Sequence, residues 1–340
     1  MKYPLPKITC CVRTYNEEKR IAECLSSIFS QNYPRQLLEV ILVDDVSTDK
    51  TVTIAKNFPV KILINETGNA EISLIRGFKE STGAFFTVVD ADMFFRGKDW
   101  FKKMLEPLLE NSDISAAFTG YHSHKRNSLI TKYLNLDPIQ RDLVYQILSP
   151  GFKEVISEEK NGYYICQYSV NKIPPQVHGL YRSAILKKVL VNEIDYHDMI
   201  KLVMLVDRGY RKFAYVPQAG YYHFHVDSLL HLWKKRIRNI KERYLDFYTN
   251  NNHYRWFDVS NSARIKKTFS LILATYLIIP LCLFSLFRAL MRRNLFYLLE
   301  PAVTFVIINA ILYAFLSDKR GRKFIILQFA KILHLSKRKS

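Results

Sequence analysis

Cysteine is scarce in this chain. Five occur in 340 residues (Cys10, Cys11, Cys24, Cys166 and Cys282), an odd number with no Cys-x-x-Cys pair. That pattern argues against a disulfide scaffold or a structural zinc site and fits a reducing compartment. Negative charge is short as well: 31 Asp+Glu stand against 50 Lys+Arg, a net charge of +19. No G-x-G-x-x-G or G-x-x-x-x-G-K-[ST] loop follows the first expected strand, so dinucleotide and P-loop readings lose their main support. Met1 to Lys7 is short and holds two prolines, so no cleavable signal is expected. What is present is apolar material, 49% hydrophobic and 14% aromatic residues, which excludes a disordered or collagen-like chain.

The excess charge is not evenly spread. Residues 1–225 carry 29 Lys+Arg and 25 Asp+Glu, 29 − 25 = +4, and residues 226–340 carry 21 and 6, 21 − 6 = +15. The same last third holds the longest apolar runs, Phe269–Phe287 and Leu295–Leu316, bracketed by cations such as Lys266, Lys267, Arg292, Arg293, Lys319 and Arg320. Runs of about 20 apolar residues span a bilayer. The sequence therefore predicts a transmembrane helical hairpin over 266–318, a multi-pass cell-membrane protein with its catalytic domain cytoplasmic by the positive-inside rule; the alternatives are a buried helical pair in a soluble core and, given Pro280 and Pro301, a shallow re-entrant hairpin. Glu300 is expected to snorkel at the membrane edge. A basic interfacial helix and linker (226–265) and a basic amphipathic tail (319–340) flank the hairpin and suit anionic lipid headgroups. Cations that flank apolar helices form no groove for nucleic acid, so none is expected as a partner.

The first 120 residues alternate short buried-strand runs with helical patterns. Ile8–Val12, Val40–Val43, Val60–Ile64 and Phe85–Val89 read as strands; Glu18–Ser30, Thr48–Asn57, Glu71–Ser81 and Lys98–Glu110 read as helices. Repeated β-α-β units predict an α/β fold with a mostly parallel sheet and helices on both faces, over a domain spanning 1–225. Ligands bind such sheets beyond the carboxyl ends of the strands. There the residues are polar: Arg13-Thr14-Tyr15-Asn16-Glu17, Asp44-Asp45-Val46-Ser47-Thr48-Asp49 and Asp90-Ala91-Asp92. A D-x-D at a strand end offers oxygens to Mg2+ or Mn2+, which in turn grips substrate phosphates. The bland alternatives are a solvated turn at Asp90 and Asp92, and N-capping by Asp44 and Asp45.

Together these motifs resemble the family 2 glycosyltransferases, which have the GT-A fold. The resemblance covers roughly residues 5–225. It rests on Thr14-Tyr15-Asn16-Glu17, Val43-Asp44-Asp45-x-Ser47-x-Asp49-x-Thr51, Gly83 leading into Asp90-Ala91-Asp92, and then Gly179-x-Tyr181-Arg182, His197-Asp198, Gly209-Tyr210 and Val216-Pro217. It implies inverting transfer of one sugar from a nucleotide-diphosphate sugar, a UDP-sugar by preference, with Mg2+ or Mn2+ as cofactor. Asp92 would be the direct metal ligand, with Asp90 contacting the ribose or the metal through water. Asp45 would accept from the base, Asp44 would hold the turn, and Thr14, Tyr15 and Glu17 would line the nucleotide pocket. Asp198 would be the catalytic base.

Departures from the pattern are His197 where Glu is usual, and Leu74 and Ile75 where Arg and Asn are usual. The Gln-x-x-Arg-Trp motif of processive synthases is absent, which favours single-sugar addition over a processive polysaccharide synthase. An inactive membrane-tethered scaffold of the same fold is the other alternative. His223 follows an expected strand and is a candidate third metal ligand or pyrophosphate contact. His197, Arg236 and Arg238 are candidates for the acceptor or its phosphate. The apolar hairpin points to a lipid-linked acceptor.

Overall fold

The structure, a computed structural model, describes residues 3–67, 70–149, 151–170, 172–174, 178–190, 198–245 and 262–337. The chain divides into two compact units, Met1–His122 with Phe152–Phe224, and Ser123–Gly151 with His225–Ser340.

The first unit is built on strands β1 (Ile8–Thr14), β2 (Leu38–Asp44), β3 (Lys61–Ile64), β4 (Phe85–Asp90), β5 (Met93–Phe95), β6 (Ala116–Phe118), β7 (Tyr121–His122), β8 (Ile156–Lys160), β9 (Tyr163–Gln167), β10 (Gly179–Arg182), β11 (Lys212–Tyr215) and β12 (Tyr221–His223). Nine form one sheet in the order β3-β2-β1-β4-β10-β6-β11-β9-β8, with helices on both faces. The β3-β2-β1-β4 portion is parallel, as its β-α-β pattern predicts. Beyond it, β10 runs antiparallel between β4 and β6, and β9 runs antiparallel to β11 and β8. The expected mostly parallel sheet is thus corrected to a mixed one. For β8 and β9 the physical reason is local: they are joined through Asn161-Gly162, with Gly162 at φ +97°, and a two-residue turn of that kind makes an antiparallel hairpin, not a crossover.

Burial explains the helices of this unit. In Ile21–Phe29 the buried side chains are Ile21, Cys24, Leu25 and Ile28, an i, i+3, i+4, i+7 stripe on the sheet. Trp100–Glu110 buries Trp100, Phe101, Met104, Leu105 and Leu108 in the same core. The helix Ala70–Lys79 approaches so closely that a Cβ on Gly77 would stand 2.2 Å from Cys11 Sγ. Leu74 and Ile75, the two departures from the family pattern, are buried there. A short second sheet has the order β5-β12-β7.

The second unit is helical. Short helices Leu129–Leu134 and Leu143–Leu148 pack with Leu229–Asn239, Ser262–Leu277, Ile279–Met291 and Glu300–Ser317 around Tyr133, Leu143, Leu232, Leu281, Val303 and Ile307. The expected multi-pass hairpin is corrected here. Among the described residues, one helix, Leu295–Ser317, is long and apolar enough to cross a membrane, consistent with a membrane anchor. The preceding run, Lys266–Leu277 with Ile279–Met291, is bent by 98°, so the described residues hold at most two spans even if that broken pair counts as one. Pro280 supplies no backbone N–H, and Ile278 takes φ +60° at the break. Glu300 does not snorkel. It is buried, paired with Arg288 at 2.5 Å and accepting from the Tyr133 hydroxyl at 3.1 Å.

Candidate active site

The strand ends bring the expected carboxylates of the first unit together. Thr14 and Asp44 are opposite each other in the β1–β2 register, and Arg13 is opposite Asp90 in the β1–β4 register. The loop after β1 is laced to the loop after β2. Asn16, at φ +52°, donates its N–H to Ser47 Oγ at 2.8 Å and accepts from Thr48 N at 2.8 Å. Glu17 N donates to Thr51 Oγ1 at 2.7 Å, and Glu18 N to Asp49 Oδ2 at 3.1 Å. This explains the Asp-x-Ser-x-Asp-x-Thr spacing: Ser47, Asp49 and Thr51 each hold one backbone N–H of the neighbouring loop.

Asp44 is buried and turned onto its own loop, accepting from Ser47 N at 2.8 Å and Ser47 Oγ at 2.5 Å. Asp45 N donates to Thr14 O at 2.9 Å, and its side chain accepts from Asn65 Nδ2 at 2.6 Å and from Ser73 Oγ. Asn65 and Ser73 are buried partners that the sequence reading missed. Arg76, next in line, donates to Ile64 O at 2.5 Å. Tyr15, next along the chain from Thr14, is 59% exposed. Glu17 forms the helix entry, its carbonyl accepting from Arg20 N and Ile21 N at 2.9 Å each.

At the end of β4, Asp90 Oδ1 accepts from Arg13 Nε at 3.0 Å and Nη2 at 2.7 Å. His178 Nε2 lies 3.5 Å from Asp90 Oδ2. Asp92 is reached from the second sheet. β12 pairs with β5, setting His223 opposite Met93, so that His223 Nε2 stands 3.4 Å from Asp92 Oδ2 and Phe224 N donates to Asp92 O at 3.0 Å. The Tyr121 ring lies 5.0 Å from that of His223 and 6.1 Å from that of His178. The sequence places Arg13 in the polar strand-end stretch without a role of its own, and it does not single out His178. Arg13 had a signal, since it precedes the quoted Thr14 motif on a strand beside β4. His178 had none of its own.

The site is acidic. The Cys24 thiol is pushed well above its ordinary value by burial and then by the negative charges of Asp92, Asp90 and Glu17. Burial raises Cys11 to about 12, with Arg13 lowering it and Asp90 raising it. Both thiols are inert structural groups. Among the described residues no group of three or more His, Cys, Asp or Glu is placed to hold a metal ion alone. Asp92 with His223 offers one oxygen and one nitrogen side by side, while Asp90 is engaged by Arg13. A hard divalent cation that takes one or two carboxylates and completes its shell with substrate phosphates fits this donor set.

His197 lies outside the described residues. Asp198 begins the helix Asp198–Asp207, and its side chain also lies outside them. Arg236 and Arg238 belong to the second unit. Arg236 donates to Asp142 Oδ2 and to the Tyr145 hydroxyl, both at 3.1 Å, and Arg238 is exposed. Burial holds the Asp142 carboxyl above the usual carboxylate range, with Arg236 acting against it.

Residues 9–168 match the model of "Glycosyl transferase family 2", so this stretch, with the fold and strand-end residues above, is similar to that family. Two curated relatives are similar. One is the dolichyl N-acetyl-alpha-D-glucosaminyl phosphate 3-beta-D-2,3-diacetamido-2,3-dideoxy-beta-D-glucuronosyltransferase of Methanococcus voltae, 34% identical over 29% of this chain and 33% of its own. The other is the dolichol-phosphate mannosyltransferase of Pyrococcus furiosus, 34% identical over 32% of each. The chain therefore spans about a third of the length of these relatives. Among solved structures, the mannosyltransferase PcManGT of Pyrobaculum calidifontis, in complex with GDP-Man and Mn2+, shares the fold. Its TM-score is 0.56 at 17% identity, covering 94% of this chain and 89% of that one.

Proposed function

We propose that the chain transfers a single sugar, with inversion, from a nucleotide-diphosphate sugar to a lipid-linked acceptor at a membrane. The observation that carries this reading is the convergence of Asp90 and Asp92 at the end of β4 with His223 from β12, beside the braced Asp44–Asp45 turn. The acidic cluster faces the place where a diphosphate would sit, which calls for a cation between them. Mg2+ or Mn2+ bound there would neutralise charge developing on the diphosphate, and Asp92 and His223 are the residues that would hold it. The Mn2+ and GDP-Man of the Pyrobaculum structure are compatible with that chemistry.

In the proposed reaction the acceptor oxygen attacks the anomeric carbon as the bond to the diphosphate oxygen breaks. The acceptor's proton passes to Asp198, acting as general base. Asp45, fixed by Asn65 and Ser73, orients the nucleotide base, with Thr14, Tyr15 and Glu17 along the same pocket. Arg13 holds Asp90 in place. The lipid-linked acceptor is supported by the apolar helix Leu295–Ser317 and by relatives named for dolichyl and dolichol phosphates.

The deciding experiment is a thermal-shift screen of nucleotide sugars with Mn2+, uridine donors first. A stabilising donor is expected, since a ligand at 100 times its Kd adds about 2.7 kcal/mol. Turnover is then assayed in Asp92→Ala and Asp198→Asn. Asp92→Ala should lose metal-dependent transfer with its fold intact, and Asp198→Asn should bind donor without transferring. Full activity of either removes that residue's role. Donor binding without transfer in the wild type would favour an inactive scaffold, and long products a processive synthase.

A further inference from the structure

Two helices of the second unit, Ser262–Leu277 and Ile279–Met291, carry large apolar side chains on their outer faces. In Ile279–Met291 the buried seam is Leu281, Ser285 and Ala289, an i, i+4, i+8 row of mostly small residues. The outer face carries Ile279, Leu283, Phe287 and Leu290, each more than half exposed. In the preceding helix, Leu271 and Thr275 are buried while Phe269, Leu273 and Leu277 are exposed. Large apolar side chains outside and small or polar ones inside is the pattern of helices whose solvent is lipid.

The geometry of the bent pair limits how deep it reaches. Lys266–Leu277 has 12 residues and Ile279–Met291 has 13. At 1.5 Å per residue they are about 18 and 20 Å long, each short of a hydrocarbon core of about 30 Å. Cations stand at both outer ends, Lys266 and Lys267 at one and Arg292 and Arg293 at the other, all exposed. With both ends at one headgroup layer, the 98° bend tilts each arm by 98/2 = 49° from the plane. The tip at Ile278 then lies about 14 Å deep, roughly half the core.

The long helix Glu300–Ser317 is tied to charged neighbours along its length. The Trp233 ring lies 5.9 Å from that of Tyr313, Lys241 Nζ stands 5.4 Å over the Tyr313 ring, and Arg320 donates to Lys241 O at 2.8 Å. At its other end Glu300 meets Arg288. Crossing a bilayer would draw the basic helix Leu229–Asn239 and the π-type turn Ile240–Tyr244 into hydrocarbon with it, which their cations oppose.

We propose that this unit inserts into one leaflet of an anionic bilayer without crossing it, the bend at Ile278 forming the tip of a wedge and the helix Glu300–Ser317 lying beside the basic helix near the headgroups. Lys234 and Arg238, exposed one turn apart on the basic helix, face anionic headgroups.

The test uses the full chain added to preformed sealed vesicles of phosphatidylcholine with phosphatidylglycerol. Cys282 is the natural probe, exposed four residues past the bend while the other four cysteines are buried. A spin label there should report a depth of about 9 Å, inside the hydrocarbon of one leaflet and short of the midplane. In a Cys282→Ser background, Arg292→Cys and Ser317→Cys should both react with a membrane-impermeant maleimide from outside. Protection of Ser317→Cys until detergent is added would show that the long helix crosses and would overturn the proposal. A water-exposed label at Cys282 would overturn the wedge. Binding should weaken at least tenfold on phosphatidylcholine alone, and equal binding would remove the anionic headgroup from the proposal. None of these readouts depends on turnover, so their failure and that of the proposed reaction are separable.

Discussion

Arg13 and Asp90 are opposite residues on adjacent parallel strands, and the arginine grips a single carboxylate oxygen with two N–H groups, at 3.0 and 2.7 Å. The first carboxylate of the D-x-D is thus fixed by the strand beside it. Arg13 is almost wholly buried, so the pair is more than a surface contact. Arg13→Met should destabilise the first unit by about 1.5–3 kcal/mol, the range for hydrogen bonds to charged groups. Arg13→Lys should recover less than half, because an ammonium lacks the planar fork. Urea unfolding followed by tryptophan fluorescence reads both. Full recovery by lysine would mean that charge alone matters.

His223 owes its place beside Asp92 to the register of β12 on β5. His223→Ala should lower Mn2+ affinity about 10–100-fold in the presence of a nucleoside diphosphate, as loss of a group tuning a metal site does. Manganese paramagnetic resonance titration measures this without any turnover. An unchanged affinity would leave His223 with only its contact to Asp92.

Much of this site was legible because parallel β-α-β units confine it to strand ends. Ile8, Leu42 and Val89 mark buried strands, and the polar residues that follow each strand are where the carboxylates lie. Asn65, Ser73 and His178 were not legible, since each reaches the site through tertiary placement and carries no local pattern. The antiparallel half was hidden for a similar reason: β6 and β10 have three and four residues, too short for a period to show. In the second unit, hydropathy found the apolar runs, but the break at Ile278 is a backbone event that composition does not register.

Val46 sits at φ +59° in the loop after β2. A β-branched residue is strained there, and such positions cost about 1–3 kcal/mol. Its side chain is exposed, so removing it forfeits little burial. Val46→Gly should raise stability by about 1 kcal/mol after allowing for glycine's extra unfolded freedom, which is about 2–4 °C in melting temperature for a unit of this size. A lower melting temperature would show that Val46 makes contacts worth more than its strain.

Glu39 ties the edge between β1 and β2 to the turn before β4. It accepts from Thr9 Oγ1 at 2.5 Å, Thr82 N at 2.9 Å and Thr82 Oγ1 at 2.8 Å. Burial pushes its carboxyl up, but these hydrogen bonds and Lys7 outweigh it and hold the group below its ordinary value of 4.5. A carboxyl lowered on folding stabilises above its unfolded value and loses that contribution as the pH falls through its folded value. Stability should therefore decline on acidification below about pH 4.5, and Glu39→Gln should flatten that decline while lowering stability at pH 7. Unfolding curves between pH 3 and 7, in steps of about half a unit, would show it; an unchanged slope would rule Glu39 out as the source.

Glu300 is the most consequential charge in the helical unit. It opens the long apolar helix yet has no exposed surface, and Arg288, itself donating to Gln146 Oε1 at 3.1 Å, is its ion-pair partner. Removing one partner of a buried pair strands the other, at about 3–5 kcal/mol, whereas replacing both with apolar groups is often neutral. Arg288→Met alone should therefore lower the melting temperature of the detergent-solubilised protein sharply. Arg288→Met with Glu300→Leu should restore most of the loss, although Tyr133 would then lack its acceptor for a remaining cost of about 1 kcal/mol. If the double variant is as unstable as the single one, the pair contributes through geometry that no apolar replacement supplies. If the single variant is unaffected, the carboxyl is protonated in place and needs no arginine.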